Sequence, residues 1–182
     1  MKYYKVLHED CRSCHGGSYT WIPGEWAPEI ADVVLYHRGY HLCRRDDLVT
    51  WLGPAIWAAE ISGDVVVEGE DKVVCGRARI VERLAWDARI ARLFAADCAE
   101  RVLSIYEAAY PGAACPRRAI DAARCGDAAA SYAAGSASYA AAAYAAYPAT
   151  AAAYAAYPAT NAAAKAAERA WQTDRLFYYL DG

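Results

Sequence analysis

The sequence lacks the motifs that mark the common phosphate-binding and hydrolase folds. No G-x-S-x-G, P-loop or G-x-G-x-x-G pattern occurs among its 182 residues. Serine hydrolase, P-loop and Rossmann-type dinucleotide-binding folds therefore have no support from motifs. We also expect no secretion, since residues 1–10 (MKYYKVLHED) contain no long apolar run and no small-residue cleavage site. We expect a cytoplasmic protein.

The sequence has no excess of positive charge and no long apolar segment. Its formal net charge is −3, with 12 Lys and Arg against 16 Asp and Glu in residues 1–100, and 7 against 6 after them. Binding to a nucleic-acid backbone is therefore not expected. The Ala-rich segment near the C-terminus has little charge, but tyrosines and prolines interrupt it, which argues against a membrane-spanning helix.

Cysteine is present, but in an odd number and at irregular spacing. Of the seven cysteines, only Cys11 and Cys14 form a C-x-x-C pair, and His15 completes the pattern of covalent c-type haem attachment. That attachment takes place outside the cytoplasm, and one C-x-x-C pair is a weak zinc signal. Haem is therefore not expected and no metal is predicted. Haem or metal binding at these three residues remains a minor alternative to a glycine-closed turn.

The distribution of apolar residues predicts two domains. Val, Ile, Leu and five of the six Trp lie before about residue 105, whereas alanine dominates residues 128–170. We predict an α+β fold, with a small mixed or antiparallel sheet domain over residues 1–86 and an all-α, Ala-rich helical domain over residues 87–182. Strands are expected at residues 3–8, 18–22, 33–36, 55–61, 65–67 and 72–75, and helices near residues 86–110, 117–125 and 161–180. Residues 78–84 suit either a strand or a helix.

A tandem repeat of ten residues lies in the second domain. Residues 141–150 and 151–160 both have the sequence AAAYAAYPAT. Because alanine favours helix and proline breaks it, we expect short helices kinked near Pro148 and Pro158. Low-complexity disorder is the alternative.

Residues 39–43 (GYHLC) form the first candidate site segment. Here Gly39 and two polar rings, Tyr40 and His41, follow the apolar run at residues 33–36, and a helix capped by Asp46 or Asp47 is expected next. A glycine and polar rings at the end of a strand are typical of a site at the mouth of a sheet. All four histidines lie in the first 41 residues, which also favours a polar site there.

Two resemblances add to this interpretation of the N-terminal half. Residues 4–7, 13–17, 21–26, 39–43 and 71–74 resemble a family of unknown function found widely in phage and prophage genomes. The order of these pieces is also remotely similar to the ADP-ribosyltransferase fold. There, His15-Gly16 resembles the segment that holds the nicotinamide ribose, and His41, beside Tyr40, takes the position of a stacking ring.

The second resemblance implies a chemistry for an acidic turn. Asp71 or Glu70 would take the role of the carboxylate that stabilises the oxocarbenium-like state formed when nicotinamide leaves NAD. The sequence departs from that family: Asp71 stands where Glu is expected, His41 where Tyr is expected, and Gly17 where a hydroxyl residue is expected. NAD is accordingly a candidate cofactor, with Glu70 and Asp71 as candidate catalytic residues.

The C-terminal half resembles helical immunity proteins found beside bacterial toxins. The match rests on residues 97–103, residues 116–124, the Ala-rich middle and Trp171-Gln172 followed by Leu176. This resemblance implies a protein partner for the helical domain and no catalysis. The leading hypothesis is thus a phage or prophage accessory protein that binds a nucleotide-like ligand, with ADP-ribosyl transfer as its reaction. The alternative is a non-enzymatic binding or immunity protein.

Overall fold

A computed structural model describes residues 2–14, 16–63, 66–109, 111–112, 114–126 and 158–182. These residues form an α+β fold that divides into two compact units. The first unit combines residues 1–87 with residues 177–182, and the second unit is residues 88–176. The elements, in chain order, are β1 (Tyr3–Leu7), β2 (Tyr40–Leu42), a 3-10 helix (Arg45–Thr50), β3 (Ala55–Ile61), β4 (Val66–Glu68), β5 (Val73–Cys75), β6 (Ala78–Arg83), α1 (Ala88–Ala109), α2 (Cys115–Cys125) and α3 (Pro158–Leu180).

The first unit contains two small antiparallel sheets. In one the strand order is β1-β3-β6, and in the other it is β2-β5-β4. Tyr4 and Cys43 exchange two backbone hydrogen bonds, with N···O distances of 2.9 and 2.8 Å. This pair joins β1 to the residue that follows β2, so the two sheets meet at the middle of β1.

The main core of the first unit lies on one face of these strands. Strand β1 alternates, so Tyr3, Lys5 and Leu7 point to the same face, where Leu7 is fully buried. The buried residues that complete this core are Trp21, Ala27, Tyr40, Leu42, Ala59, Val73, Cys75, Ala78 and Ile80. Apolar residues from both sheets thus share one core, which fixes the position of β2 relative to β1.

Several predicted strands are confirmed, and two are wrong. Strand β3 has the predicted bounds, and the undecided segment 78–84 is a strand, β6. Residues 18–22 form only an isolated bridge, Thr20 with Arg12, and the Trp21 backbone N–H donates to the Cys11 carbonyl oxygen of the preceding turn. The apolar run at 33–36 is a tight turn, in which Val34 and Arg38 pair.

The backbone of that turn explains the second error. Asp32 and Tyr36 have positive φ angles of 52° and 66°, which an extended strand does not allow. The strand therefore begins after Gly39 and carries Tyr40 and His41 within it. The expected helix after it is also corrected, since it is a 3-10 helix whose N-cap is Arg44 and not Asp46 or Asp47.

The second unit contains α1, α2 and most of α3. Small residues allow α1 and α2 to pack closely around Leu103 and Ile120, with Ala96, Ala99 and Ala123 completing the cluster. Helix α2 ends at Gly126, whose φ of 82° permits its backbone N–H to donate to the Ala122 carbonyl oxygen.

Ion pairs across the helices add to this packing. Asp97 on α1 accepts from Arg124 on α2 at 3.0 Å and from Arg175 on α3 at 2.6 Å. The repeat lies outside the described residues except for its last three, which begin α3 at Pro158. No helix within the described ranges is both long enough and apolar enough to cross a lipid bilayer.

Candidate functional site

A cavity of about 420 Å³ lies in the first unit, beside the junction of β1 and β2. Its wall combines aromatic rings, basic side chains and the exposed backbone of a glycine-rich loop. The residues that line it are Lys5, Val6, Ser13, Gly16, Gly17, Ser18, Tyr19, Trp21, Ile30, Tyr36, His37, Gly39, Tyr40, His41, Leu42, Cys43, Trp51 and Lys72.

Gly39 allows the chain to turn from the 33–38 segment into β2 at this cavity. Its φ is 125°, and a Cβ atom there would lie 2.5 Å from Val74 Cγ2 and 3.1 Å from the Cys75 carbonyl oxygen. No L side chain fits both the conformation and the space. The glycine therefore places Tyr40 and His41 at the cavity wall.

Tyr40 is fixed by its ring contacts and its hydroxyl group. The hydroxyl donates to the Pro28 carbonyl oxygen at 2.8 Å, and the ring meets Trp21 edge-on with centroids 5.2 Å apart. Tyr19 contacts both rings in the same manner, at 5.7 and 5.4 Å. These three rings give the cavity a rigid aromatic wall.

His41 is held as a neutral imidazole that accepts a hydrogen bond. Its Nε2 accepts from the Tyr36 backbone N–H at 2.9 Å. Burial lowers the pKa of His41, and the charges of Lys5, Lys72 and His37 lower it further. A hydrogen bond with the Gly39 backbone raises the pKa and offsets part of this decrease. An imidazolium could not accept from Tyr36, so the geometry and the pKa both favour the neutral form.

Lys5 is a buried lysine in the middle of β1. It is only 9% exposed, and its Nζ donates to the His41 carbonyl oxygen at 2.8 Å and lies 5.4 Å from the Trp21 ring centroid. Burial lowers the pKa of this ammonium to about 8. No carboxylate among the described residues forms an ion pair with it.

Lys72 provides a second positive charge at the cavity. Its Nζ lies 3.8 Å from the Trp51 ring centroid and 4.6 Å from that of Tyr36. The Tyr36 hydroxyl donates to Asp71 Oδ1 at 3.2 Å, and Trp51 Nε1 donates to the Asp71 carbonyl oxygen at 3.0 Å. The two rings thus hold Lys72 by cation–π contacts and also fix the neighbouring Asp71.

The predicted site residues fall into three groups. Gly16, Tyr40 and His41 line the same cavity, whereas His15 lies outside the described residues. The side chains of Glu70 and Asp71 do not line it. Asp71 reaches the cavity indirectly, through its hydrogen bond with Tyr36, and Glu70 is an exposed turn residue whose carbonyl oxygen accepts from Arg44.

Sequence reasoning missed the two lysines of this site, Lys5 and Lys72, and four of its aromatic rings, Tyr19, Trp21, Tyr36 and Trp51. The signal for Lys5 was the alternation of β1, which puts this lysine on the same face as Tyr3 and Leu7. Tyr36 and Lys72 reach the site through the turns before β2 and β5, and Trp51 through the end of the 3-10 helix, so no local pattern could have joined these three.

The cysteines near the site are free thiols, of which Cys43 is buried and Cys11 and Cys14 are partly buried. Cys11 packs against the core, and burial raises the pKa of Cys14 and raises that of Cys43 to about 12. A protonated thiol is a poor metal ligand. Within the described part of the chain, no group of three or more His, Cys, Asp or Glu side chains is placed to hold a metal ion.

The fold and the cavity define a small α+β domain with a cavity lined by basic and aromatic side chains. A family model described as a domain of unknown function, DUF7666, matches residues 1–92. The chain belongs to this family, and the matched residues include the whole cavity wall. Searches of the curated proteins and of the solved structures found no match.

Proposed function

We propose that the first unit binds a small anionic ligand with an aromatic ring, of the nucleotide class, in this cavity. The observation that carries the proposal is a pair of lysines, Lys5 and Lys72, which line the cavity and form no ion pair with a carboxylate of the described chain. Arginines of the same unit, such as Arg44 and Arg79, are paired with Asp47 and Glu60. The lysines are therefore the charges available to a ligand.

The size and the wall of the cavity support the same ligand class. Its volume of about 420 Å³ lies in the range of roughly 300–1,000 Å³ that is usual for small-ligand sites. A phosphate would place negative charge against the two ammonium groups. A base would find apolar surface on Trp21, Tyr19 and Tyr40.

Within this class we propose NAD as the ligand and transfer of its ADP-ribose as the reaction. In that step the glycosidic bond to nicotinamide breaks, and nicotinamide leaves with the bonding electrons. The acceptor atom bonds to the ribose carbon and gives its proton to solvent. Support comes from Gly16, Tyr40 and His41, which share the cavity wall, and from Asp71, whose carboxylate contacts the wall residue Tyr36. That carboxylate would stabilise the developing positive charge.

Thermal unfolding with NAD, AMP and nicotinamide tests the ligand class. A ligand at 100 times its dissociation constant should add about 2.7 kcal/mol to the free energy of unfolding. Lys72→Met keeps an unbranched side chain beside Trp51 but removes the positive charge. This variant should weaken nucleotide binding by about tenfold, as expected for one lost charge-assisted contact. Lys2→Met, at an exposed lysine, is the matched control and should bind as the wild type does.

The outcomes separate the binding proposal from the reaction. If millimolar NAD and AMP both leave the stability unchanged, the nucleotide proposal fails. The non-enzymatic binding or immunity hypothesis, drawn from the helical resemblance, would then be favoured. If NAD binds but no nicotinamide is released, or if Asp71→Asn releases it at the wild-type rate, the transfer step is wrong while the ligand class stands. A phage or prophage setting is our hypothesis for the biological context.

A further inference from the structure

We propose that Lys5 is a carbonyl-reactive amine, whose Nζ forms an imine with an aldehyde ligand in the cavity. The inference uses the same cavity as the proposed function but does not depend on nucleotide binding. Its chemical basis is a buried primary amine at the wall of a pocket of about 420 Å³, held in one orientation.

The geometry of Lys5 suits attack on a bound carbonyl group. The hydrogen bond to the His41 carbonyl oxygen, at 2.8 Å, and the Trp21 ring, 5.4 Å from Nζ, fix the end of a side chain that would otherwise be mobile. A fixed amine loses less conformational entropy when it meets its ligand. A neutral amine can still donate to His41 while its lone pair is available.

The protonation state supports the same role. Only a neutral amine is nucleophilic, and the pKa of Lys5 is about 8 because burial disfavours its charged form. At pH 7.5 about a quarter of such a lysine is neutral, compared with about 0.1% of an ordinary lysine. Lys5 therefore gains reactivity at neutral pH that a surface lysine lacks.

The thiols at the cavity do not compete with this amine. The pKa of Cys43, which lines the cavity, is raised to about 12 by burial. Burial also raises the pKa of Cys14. Since the thiolate is the reactive form of cysteine, these shifts lower the reactivity of both thiols at neutral pH.

The reaction balances without any further reagent. The nitrogen lone pair of Lys5 bonds to the carbonyl carbon, and the electrons of the carbonyl π bond move to its oxygen. The oxygen takes up one proton from the nitrogen to give the carbinolamine. As the C=N bond forms, the oxygen takes up the second nitrogen proton and leaves as water, so the products are one imine and one water. Lys72 favours an aldehyde that carries an anionic group, and the aromatic wall favours one with a ring.

Reductive trapping tests the proposal. The whole chain is incubated at pH 7.5 with 4-formylbenzoate and cyanoborohydride, and the adducts are mapped by mass spectrometry of peptides. The chain has only four lysines, Lys2, Lys5, Lys72 and Lys165, so the background is small. We expect the adduct at Lys5 to form at least about tenfold faster than at Lys2, since the neutral fractions differ by about 200-fold and burial offsets part of that advantage.

Three controls make the result specific. The rate at Lys5 should rise with pH and reach half its maximum near pH 8. Uncharged 4-methylbenzaldehyde should react more slowly than 4-formylbenzoate. Lys5→Arg should lose the dominant adduct, whereas Lys2→Arg should keep it.

The decisive comparison needs no variant, so it holds even if Lys5→Arg does not fold. Adducts that form at Lys2, Lys72 and Lys165 while Lys5 stays unmodified would overturn the proposal. A failure here leaves the nucleotide proposal intact, because thermal shifts with AMP and NAD are measured without any aldehyde.

Discussion

His41 connects the cavity wall to the turn that precedes β2. Its imidazole accepts from the Tyr36 backbone N–H at 2.9 Å, while its own backbone carbonyl accepts from Lys5. The residue thus holds the turn with its side chain and holds the buried amine with its backbone. Protonation of the ring would remove the first of these contacts, since an imidazolium has no acceptor nitrogen.

We predict that acid destabilises the first unit through His41. Burial and the charges of Lys5, Lys72 and His37 lower the pKa of His41 in the folded state, so the unfolded state binds its proton more readily. Stability should be complete above the ordinary pKa of about 6.5 and should fall as the pH drops below it. Urea unfolding at pH 7.5 and pH 5.5 should show the loss, which includes a hydrogen bond worth about 1 kcal/mol.

His41→Gln separates this effect from other titrations. The glutamine carbonyl oxygen can accept from Tyr36 at either pH, so the variant should lose less stability on acidification than the wild type does. His8→Gln, at an exposed histidine, is the control and should follow the wild type. Equal pH dependence in the wild type and His41→Gln would contradict the assignment.

The place of a single residue at the cavity wall was predictable where the neighbouring sequence alone determines it. Tyr40 and His41 were predicted from a glycine and two polar rings beside a strand, and Gly16 from the ADP-ribosyltransferase resemblance; all three line the cavity wall. Lys5 was not predicted, because a lysine in a strand usually points to water. Its surroundings include the Trp21 ring and the His41 carbonyl oxygen of β2, which are distant from it in sequence.

At the scale of elements, Arg44 joins the 3-10 helix to the turn between β4 and β5. Its Nε donates to Asp47 Oδ2 at 2.6 Å, and its NH2 group donates to the Gly69 carbonyl oxygen at 2.8 Å. Asp47 Oδ2 also accepts from the Arg44 backbone N–H, which ties the carboxylate to the first turn of the helix. These contacts hold the turn in which Lys72 lies, and so position Lys72 at the cavity.

We predict that Asp47→Asn destabilises the fold by about 1–3 kcal/mol. Asp47 is only 8% exposed. Replacing its carboxylate by a neutral amide leaves the half-buried Arg44 guanidinium without its main anionic partner. Asp46→Asn is a matched control one residue away, because the Asp46 side chain is 84% exposed and an exposed ion pair contributes little. Urea unfolding measures both variants, and similar losses in the two would contradict the role given to Asp47.

The strands show how far a local pattern can predict an element. The seven residues of β3 form an apolar run in the centre of a sheet, and their bounds were predicted. The run at residues 33–36 is equally apolar, yet Val34 and Tyr36 are half exposed in a turn. The difference lies in the partners, since β3 pairs with β1 and β6, and pairing between distant strands is not encoded in either run alone.

At the scale of the molecule, the first unit is built from two distant parts of the sequence. Residues 177–182 belong to it, together with residues 1–87, although the family model ends at residue 92. Phe177 meets the Tyr4 ring edge-on with centroids 5.3 Å apart, and the Arg45 guanidinium lies 4.5 Å from its ring centroid. The last turn of α3 therefore covers the face of β1 opposite to Lys5.

We predict that Phe177→Ala destabilises the first unit by about 3 kcal/mol, because Phe177 is only 6% exposed and its removal leaves a cavity beside β1. Tryptophan fluorescence during urea unfolding reports mainly this unit, since five of the six Trp lie in residues 1–87. The adjacent Tyr178 is 64% exposed, so Tyr178→Ala should cost less than about 1 kcal/mol. A Phe177→Ala loss no greater than that of Tyr178→Ala would mean that residues 1–87 fold without the last turn of α3. A larger loss would mean that the matched residues 1–92, taken alone, lack a necessary part of their own core.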